Sequence, residues 1–478
     1  MTEHVGVCVV GAGIAGLGLA LRLAAEGRDD VVVLERRGGV GGTWHDNVYP
    51  GAACDIPAHL YSYSFAANAD WSTRFPEGGE IRRYLEAVAA PIIDRVRLGT
   101  AVVGARWDAG AARWEVRTDR GDLTADLLVL AVGRLAEPRI PEVPGLAAFP
   151  GPVLHTARWS PDLVLAGRRV AVVGSGASSV QLVPRLVEAG ADVTVLQRSA
   201  PWVLPRGDRA YSPAERARFA ADDAHRAAHR ADLLAAQEDG FAARRLGSPE
   251  LVALRSAALA HLAEQVPDGE LRAALTPSAE IGCKRITLSD DFYPALAAGR
   301  ARLEPSALVA VDGSAAVAAS GRRVADLDAI VLATGFVTER PPIAAAVHGT
   351  AGTLADAWRD GMRAYASVAV PGFPNLFVLD GPNAALSHNS AFLVIEAQID
   401  HVLGAAAHVR RGRVVEVAAA AEAAYTARVA ELSVGMVWSG CDSWYRDAAS
   451  GRLTVLWPGT AESFCAANGA FDPAAYAA

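Results

Sequence analysis

The stretch from Phe149 to Arg198 decides the fold of this chain, and it reads FPGPVLHTARWSPDLVLAGRRVAVVGSGASSVQLVPRLVEAGADVTVLQR. An apolar run over 170–173 breaks into the glycine-rich run GSGASS over 174–179, and a second apolar run over 193–196 follows. Short apolar runs on either side of such a break are typical of parallel strands joined by a turn and a helix. The pattern predicts a nucleotide-binding βαβ unit.

The N-terminus carries the same pattern in a more complete form. The apolar run 7–10 enters Gly11-Ala-Gly13-Ile-Ala-Gly16, a helical pattern follows, and a second apolar run ends at Glu35. Gly11 permits the turn, Gly13 lets a pyrophosphate approach the backbone, and Gly16 lets helix and strand pack closely. The helix N-terminus attracts phosphate, and Glu35 is placed to accept hydrogen bonds from ribose hydroxyls. We predict a bound dinucleotide here; the alternative is a purely structural βαβ unit.

The second unit differs from the first at two positions that bear on its ligand. It has Gly174 and Gly176 at the first two glycine positions but Ser179 at the third, and its second strand ends at Arg198 without an acidic residue. A carboxylate would repel a ribose 2′-phosphate there, whereas a guanidinium binds it bidentately. We therefore predict NADPH rather than NADH; the alternative is that Arg198 is a solvated surface residue.

Length, charge and cysteine content limit what the chain can be. Its 478 residues allow two or three domains, and a net charge of −8 argues against affinity for nucleic acid or anionic membranes. No run is long and apolar enough to cross a bilayer. The five cysteines form no CxxC pair, so neither a zinc ribbon nor a redox dithiol is indicated. We expect a cytoplasmic protein without a metal site.

The loop after the first unit carries the first family signature. It reads GGTW over 41–44 and YPGAACDI over 49–56, and this pairing resembles the signature of class B flavoprotein monooxygenases of the Baeyer–Villiger type. In that family the first unit holds FAD. The resemblance implies that the following residues lie near the flavin: Thr43, Trp44, Asp55, Ile56 and Tyr61. Without the resemblance, the segment is equally well a surface loop in which Asp55 caps a turn.

The connector at the start of the deciding stretch carries a second signature. Phe149-x-Gly151-x-x-x-His155-x-x-x-Trp159 resembles the Baeyer–Villiger fingerprint, although Ser160 stands where the family has Pro or Asp. The segment couples domain movement to catalysis in that family. For His155 itself we favour a linker histidine bonded to backbone over a proton-transfer role.

Two further matches lie in the second half of the chain. Lys284-Arg285 resembles a family pair whose arginine reaches the flavin and whose lysine helps hold NADP. The run CDSWY over 441–445 resembles a mobile loop whose tryptophan, here Trp444, contacts NADP. Taken alone, the two cations are a solvated surface and Trp444 is equally well a core residue. The resemblance implies that Asp55 and Arg285 form the catalytic pair.

The predicted fold class is α/β, with two Rossmann-like dinucleotide-binding domains, one for FAD and one for NADP. We expect the FAD-binding domain in residues 1–145 and 326–478, the latter including a C-terminal loop region. The NADP-binding domain is expected in residues 146–325, with a helical insertion at about 212–275. The apolar run before Ala333-Thr-Gly335 is expected to return the chain to the first domain.

The resemblance also implies a reaction and two small-molecule partners. NADPH reduces FAD, and one oxygen atom of O2 is inserted through a flavin C4a-peroxide, converting a ketone to an ester or lactone. Arg285, oriented by Asp55, stabilises the negative charge that develops. One alternative is a flavin monooxygenase that oxygenates nitrogen or sulfur. Another is a non-catalytic redox protein that binds FAD and NADP.

Overall fold

The computed structural model describes residues 2–409 and 414–477. The strands are β1 Glu3–Val10, β2 Val31–Leu34, β3 Val96–Arg97, β4 Val102–Asp108, β5 Arg113–Thr118, β6 Leu123–Leu130, β7 Val153–His155, β8 Arg169–Val173, β9 Asp192–Leu196, β10 Val203–Leu204, β11 Thr287–Leu288, β12 Ala301–Glu304, β13 Leu308–Asp312, β14 Ala315–Ala318, β15 Arg323–Val324, β16 Ala329–Leu332, β17 Val347–His348, β18 Leu376–Val378, β19 Glu416–Val417 and β20 Tyr476–Ala477.

The α-helices are α1 Ile14–Ala25, α2 Thr43–Asp46, α3 Gly78–Ala89, α4 Ala177–Glu188, α5 Pro213–Ala221, α6 Asp223–Asp239, α7 Pro249–Gln265, α8 Gly269–Leu275, α9 Phe292–Ala297, α10 Leu354–Ala357, α11 Ala391–His408, α12 Ala419–Leu432 and α13 Ala461–Asn468. Short 3-10 turns are interspersed at Ala90–Arg95, Leu146–Ala148, Thr156–Arg158, Ala242–Arg244, Pro342–Ala346, Val437–Gly440 and Pro473–Ala475.

The first sheet is built around β1, which lies between β6 and β2 and is parallel to both. Its order is β17-β4-β5-β6-β1-β2-β3, and β18 also pairs with β6. The residues of β1 from Val7 to Val10 are buried, as are all four residues of β2. Parallel strands covered on both faces read as continuous apolar runs, which explains why these two strands were predicted correctly.

The second sheet repeats this arrangement around β8, which lies between β9 and β16. Its order is β12-β9-β8-β16-β7, and every neighbouring pair is parallel. Helices α5 to α8 fill residues 213–275, where the sequence predicts a helical insertion. The insertion begins with a capping box, in which the Ser212 hydroxyl accepts a hydrogen bond from the Glu215 amide.

The position of β16 corrects one prediction. We expected this strand to return the chain to the first domain, but Ile330 is in register with Ala171 of β8 and with Val153 of β7. The strand therefore belongs to the second sheet. A buried apolar run of this length can pair with either sheet, and the sequence carries no signal that decides between them. The chain rejoins the first sheet at β17, and the other domain boundaries stay predictions.

Helix α11 joins the first sheet to the region between the two units. Ser390 caps its N-terminus by accepting a hydrogen bond from the Phe392 amide at 3.3 Å. Asp400 on its outer side forms an ion pair with Arg22 of α1 at 3.0 Å. At 18 residues it is a long helix, but no helix within residues 2–409 and 414–477 is long and apolar enough to cross a membrane.

Buried histidines should make the fold sensitive to mild acid. Burial lowers the pKa of His59, His388 and His401 to about 4. In the unfolded chain a histidine titrates near 6.5, so the unfolded state binds more protons between about pH 6.5 and 4. The free energy of unfolding should therefore fall as the pH is lowered through this window, which urea titrations at neutral pH and at about pH 5 measure.

His401 offers a control for this pH dependence. Its ring nitrogens lie 2.7 Å from the Tyr476 hydroxyl and 3.1 Å from the Asn468 carbonyl oxygen. Glutamine preserves polar contacts but does not titrate, so His401→Gln should flatten the dependence of unfolding free energy on pH. An unchanged slope in the variant would remove His401 as a contributor.

Candidate active site

The two glycine turns have nearly the same geometry. Gly11 has a φ of 107° and Gly174 a φ of 106°, both in the region that favours glycine. A Cβ on Gly11 would lie 2.5 Å from the Ala131 carbonyl oxygen, and one on Gly174 would lie 2.5 Å from that of Ala333. A side chain is therefore excluded at both turns, because the backbone of the neighbouring strand passes directly behind each one.

The first turn offers hydrogen-bond acceptors and space that suit a dinucleotide. Glu35 is buried and accepts hydrogen bonds from the amides of Ala12 and Arg37, both at 2.8 Å. Each carboxylate oxygen keeps acceptor capacity for a ribose hydroxyl. A Cβ on Gly13 would meet Gly42 at 3.6 Å, whereas one on Gly16 would lie 1.9 Å from the Gly11 carbonyl oxygen. These residues fit an adenine dinucleotide such as FAD, with Gly16 serving helix packing.

The predicted flavin contacts gather beside this turn. Trp44 of α2 donates from its indole nitrogen to the Tyr61 hydroxyl at 3.1 Å, and their rings meet edge to face at 5.7 Å. Ile56 is buried in the same core as Trp44. The Thr43 side chain is exposed and has no hydrogen-bond partner among the residues that the structure describes. Their contact with a flavin stays a prediction.

Asp55 and Arg285 form a bidentate ion pair between the two units. Nε of Arg285 donates to Oδ2 of Asp55 and Nη2 donates to Oδ1, both at 2.6 Å. Burial alone would raise the pKa of Asp55, but the adjacent guanidinium lowers it below its usual value. The side chains of Arg285 and Asp55 remain 31% and 26% exposed. Nη1 of Arg285 has no partner within the described ranges, so one edge of this cation is free.

The second turn lies beside two cations that lack a carboxylate partner. Lys284 Nζ lies 3.3 Å from the Ser199 hydroxyl, and Arg198 is exposed at the end of β9. Burial lowers the pKa of Lys284, and repulsion from Arg198 lowers it further. No carboxylate in the described part of the chain forms an ion pair with either residue. The arrangement fits a ribose 2′-phosphate.

Gly176 and Ser179 complete the second turn. A Cβ on Gly176 would meet nothing within 4 Å, so the space in front of the α4 N-terminus is open. Ser179 is fully buried, and its hydroxyl has no hydrogen-bond partner. A small serine thus occupies the position where the first unit has Gly16.

A disulfide that the sequence did not predict joins Cys283 to Cys441. The two residues are 158 positions apart, and no local spacing reveals such a pair. Cys283 directly precedes Lys284-Arg285, and Cys441 directly precedes the segment with Trp444 and Tyr445. Trp444 is 37% exposed, so it is not a core residue, and its contact with NADP stays a prediction. The bond ties the segment that carries Trp444 to the segment that carries Lys284 and Arg285.

Thiol labelling tests this disulfide. Cys8 and Cys54 are buried, and Cys465 is exposed. An alkylating reagent should therefore modify only Cys465 in the folded protein, these three residues after unfolding, and all five cysteines after unfolding and reduction. Mass spectrometry counts the adducts. Labelling of Cys283 or Cys441 in unreduced, unfolded protein would contradict the bond. Because glutathione reduces most cytosolic disulfides, the predicted cytoplasmic location also bears on this result.

His155 is held by the backbone at both ring nitrogens. Its Nδ1 accepts a hydrogen bond from the Ala157 amide at 3.1 Å, so its Nε2 carries the proton and donates to the Gly335 carbonyl oxygen at 2.9 Å. Burial lowers the pKa of the ring, which keeps it neutral. The linker role that we favoured for His155 agrees with these contacts, which join the connector to the end of β16.

Three residues near the Asp55–Arg285 pair were not predicted from the sequence: Arg134, Arg244 and Tyr445. Arg134 bonds Asp380 through Nε at 3.2 Å and also bonds the Ala384 carbonyl oxygen. Arg244 and Tyr445 are buried and lie close enough to Arg285 to affect its charge balance. Arginine is abundant in this chain, so an isolated arginine in a helical insertion carries no recognisable signal.

Two glycine turns, each at the carboxyl end of a parallel strand, with a bidentate ion pair between them, are typical of an oxidoreductase with two dinucleotide sites. Residues 8–230 match a family model described as pyridine nucleotide-disulphide oxidoreductase. A Baeyer–Villiger monooxygenase of Streptomyces coelicolor is 45% identical over 470 residues, covering 97% of this chain and 90% of that protein. One from Pseudomonas aeruginosa is 38% identical over 482 residues, covering 99% and 91%.

Solved structures give the same result. A cyclohexanone monooxygenase from Rhodococcus sp. Phi1 bound to NADP+ superposes with a TM-score of 0.87 at 26% identity, covering 98% of this chain and 97% of that one. The chain therefore belongs to the Baeyer–Villiger monooxygenase family. This confirms the family, the α/β fold class and the NADPH-dependent flavin monooxygenase class that the sequence predicted, with FAD and NADP as cofactors.

Proposed function

We propose that this chain converts a ketone to an ester or lactone, with FAD at the first glycine turn and NADPH at the second. The observation that carries the proposal is the bidentate Asp55–Arg285 pair between the two turns. Bound FAD would accept electrons from NADPH and pass one oxygen atom of O2 to the substrate. The residues of the chain bind the cofactors, orient the substrate and exclude water.

Arg285 is the proposed catalytic residue because one of its edges is free. Asp55 occupies Nε and Nη2, which leaves Nη1 to donate to a ketone oxygen that gains negative charge as its carbonyl carbon is attacked. A well-placed donor of this kind contributes about 3 kcal/mol. Asp55 fixes the orientation of the guanidinium, and neither charge is left single in a partly buried site.

The same geometry separates this reaction from oxygenation of nitrogen or sulfur. An amine or a sulfide attacks with its own lone pair and develops no negative oxygen on the substrate. A fixed cation with a free donor therefore contributes little to that reaction. The ion pair thus favours a ketone, and a screen of ketones, amines and sulfides for a gain of one oxygen by mass tests this choice directly.

Substituting the catalytic arginine should separate cofactor oxidation from product formation. Arg285→Ala should still oxidise NADPH and release hydrogen peroxide, while oxygenated product falls by about 100-fold, in line with the loss of one such donor. Chromatography of product and a peroxidase-coupled assay measure the two outputs from one reaction.

Arg302→Ala is the matched control. Arg302 also pairs with an aspartate, Asp192 at 2.5 Å, but these side chains are 48% and 43% exposed at the edge of the second sheet. The control should keep the ratio of product to NADPH consumed by the unmodified enzyme. Product formation by Arg285→Ala at the rate of that control would remove Arg285 from the mechanism.

Arg198 should discriminate between the two nicotinamide cofactors. Hydrogen bonds to charged groups contribute about 1.5–3 kcal/mol, so Arg198→Gln should raise the KM for NADPH by about 10- to 100-fold. NADH lacks the 2′-phosphate and serves as the internal control, since its KM should change little. Steady-state kinetics with both cofactors measures the effect, and equal increases would defeat the phosphate assignment.

A further inference from the structure

Arg244 is a buried cation to which the proposed mechanism gives no role. It lies at the end of the 3-10 turn Ala242–Arg244 in the helical insertion and is only 8% exposed. Nε donates to the Ser387 hydroxyl at 3.2 Å, and no carboxylate in the described ranges bonds to it. Burial lowers the pKa of its guanidinium to about 10, and repulsion from Arg285 contributes. It remains charged at neutral pH without a counter-ion.

The elements around Arg244 are those that surround the catalytic pair. Its Cδ lies 3.7 Å from the position of a Cβ on Gly282, two residues before Lys284. Ser387, its hydrogen-bond partner, stands just before α11. The next residues along the chain pair with the C-terminal loop, since Arg245 bridges to Met436. Arg244 therefore lies where the helical insertion, the Lys284-Arg285 segment and the C-terminal loop meet.

Among the described residues, Arg244 is a cation that bonds no carboxylate, and Glu238, an acid of the same insertion, bonds His388 and Asn389 rather than Arg244. Arg285 is paired with Asp55, and Arg134 is paired with Asp380. A buried cation without a partner is costly, and proteins ordinarily pair such a group or bind an anion beside it. The Nη atoms of Arg244 have no protein partner, yet they are not sealed off from solvent. The Nη edge of this guanidinium therefore has free donor capacity for an anion.

The phosphates of the cofactors have other partners. A pyrophosphate binds at a glycine turn and helix N-terminus, and the chain provides one such turn before α1 and one before α4. The 2′-phosphate is matched by Arg198 and Lys284 at the end of β9. Arg244 lies on none of these elements. The anion that pairs with it is therefore expected from the oxidised substrate.

The residues around Arg244 indicate the chemical character of that substrate. Tyr445 is almost fully buried, and its hydroxyl has no hydrogen-bond partner within the described residues. It belongs to an apolar cluster with Met436 and Leu456, against which Phe241 and Ile286 pack. A ligand here would have a mainly apolar body, with one anionic group at Arg244 and a hydroxyl donor available from Tyr445.

From this arrangement we infer that the substrate is a keto acid, whose carboxylate binds Arg244 while its ketone oxygen faces Arg285. The inference rests on the proposed function, because it assigns the ketone to Arg285. Arg244 then acts as a specificity-determining residue rather than a catalytic one. It selects acids over neutral ketones and fixes which carbonyl of a larger molecule reaches the reaction centre.

A matched pair of substrates tests this inference with the FAD-loaded enzyme and NADPH. The probes are straight-chain methyl ketones that end in a carboxylate, in a series of chain lengths, each compared with its methyl ester. The acid should have a kcat/KM at least about 10-fold above that of the ester at the best length. Arg244→Gln should abolish the preference by lowering kcat/KM for the acid about 10- to 100-fold. The kcat/KM of the variant for the ester should stay within about twofold of that of the unmodified enzyme.

Two further variants isolate the charge at this position. Arg244→Lys keeps the charge without the planar fork and should retain part of the preference for the acid. Arg245→Gln changes the exposed neighbouring arginine and should leave both substrates unaffected. Flavin content and the rate of anaerobic flavin reduction by NADPH should be the same in all variants, which shows that each one folds and binds its cofactors.

Three other outcomes would overturn the inference. Equal kcat/KM for acid and ester in the unmodified enzyme, or an equal fall for both in Arg244→Gln, would remove the carboxylate site. A raised KM for NADPH in that variant would assign Arg244 to the cofactor pyrophosphate instead. If no ketone is oxygenated at all, the proposed function fails separately. Calorimetry with the NADP-loaded enzyme then still decides the inference, since the acid should bind Arg244→Gln at least about 10-fold more weakly than the unmodified protein.

Discussion

The bidentate pair between Asp55 and Arg285 is the interaction on which the rest of the structure depends. Its two members come from different units, and neither charge is fully solvated, so separating them would leave two partly buried charges alone. The surrounding contacts hold the same alignment: the Tyr49 hydroxyl bonds the Gln181 side chain of α4 at 2.8 Å, and that side chain also bonds the Ala53 carbonyl oxygen. The geometry of this ion pair is therefore set by the interface between the two units.

Local backbone requirements explain how much could be read from the sequence. Gly11 and Gly174 were identifiable because a neighbouring strand leaves no room for a Cβ, so the fold requires glycine at these two positions. The sheet to which β16 belongs could not be predicted, because a buried apolar run can pair with either sheet. Cys283 and Arg244 illustrate a third case: their partners, Cys441 and Ser387, are distant in the chain, and only the assembled fold brings them together.

The electrostatics of the site oppose those of the whole chain. The net charge is −8, yet among the described residues Arg198, Lys284 and Arg244 form no ion pair with a carboxylate. An acidic surface does not gather phosphates or carboxylates from solution, so anionic ligands must be bound by local, pre-positioned cations. Lys284 and Arg198 repel each other, and Asp442 offsets only part of this repulsion, so a bound anion would stabilise the pair. Arg244 extends this logic to the substrate.

The C-terminal loop is attached to both units. The disulfide to Cys283 attaches one end of the loop to the segment that carries Arg285, whereas its other end is bonded to the first unit: Asn383, soon after β18, donates from its amide to Thr454 and from its side chain to the Leu453 carbonyl oxygen, both at 2.9 Å. Tyr445 therefore lies between two anchors, one on each unit. Because this residue belongs to the apolar cluster against which Ile286 packs, the same two anchors hold an apolar surface beside the segment that carries Arg285.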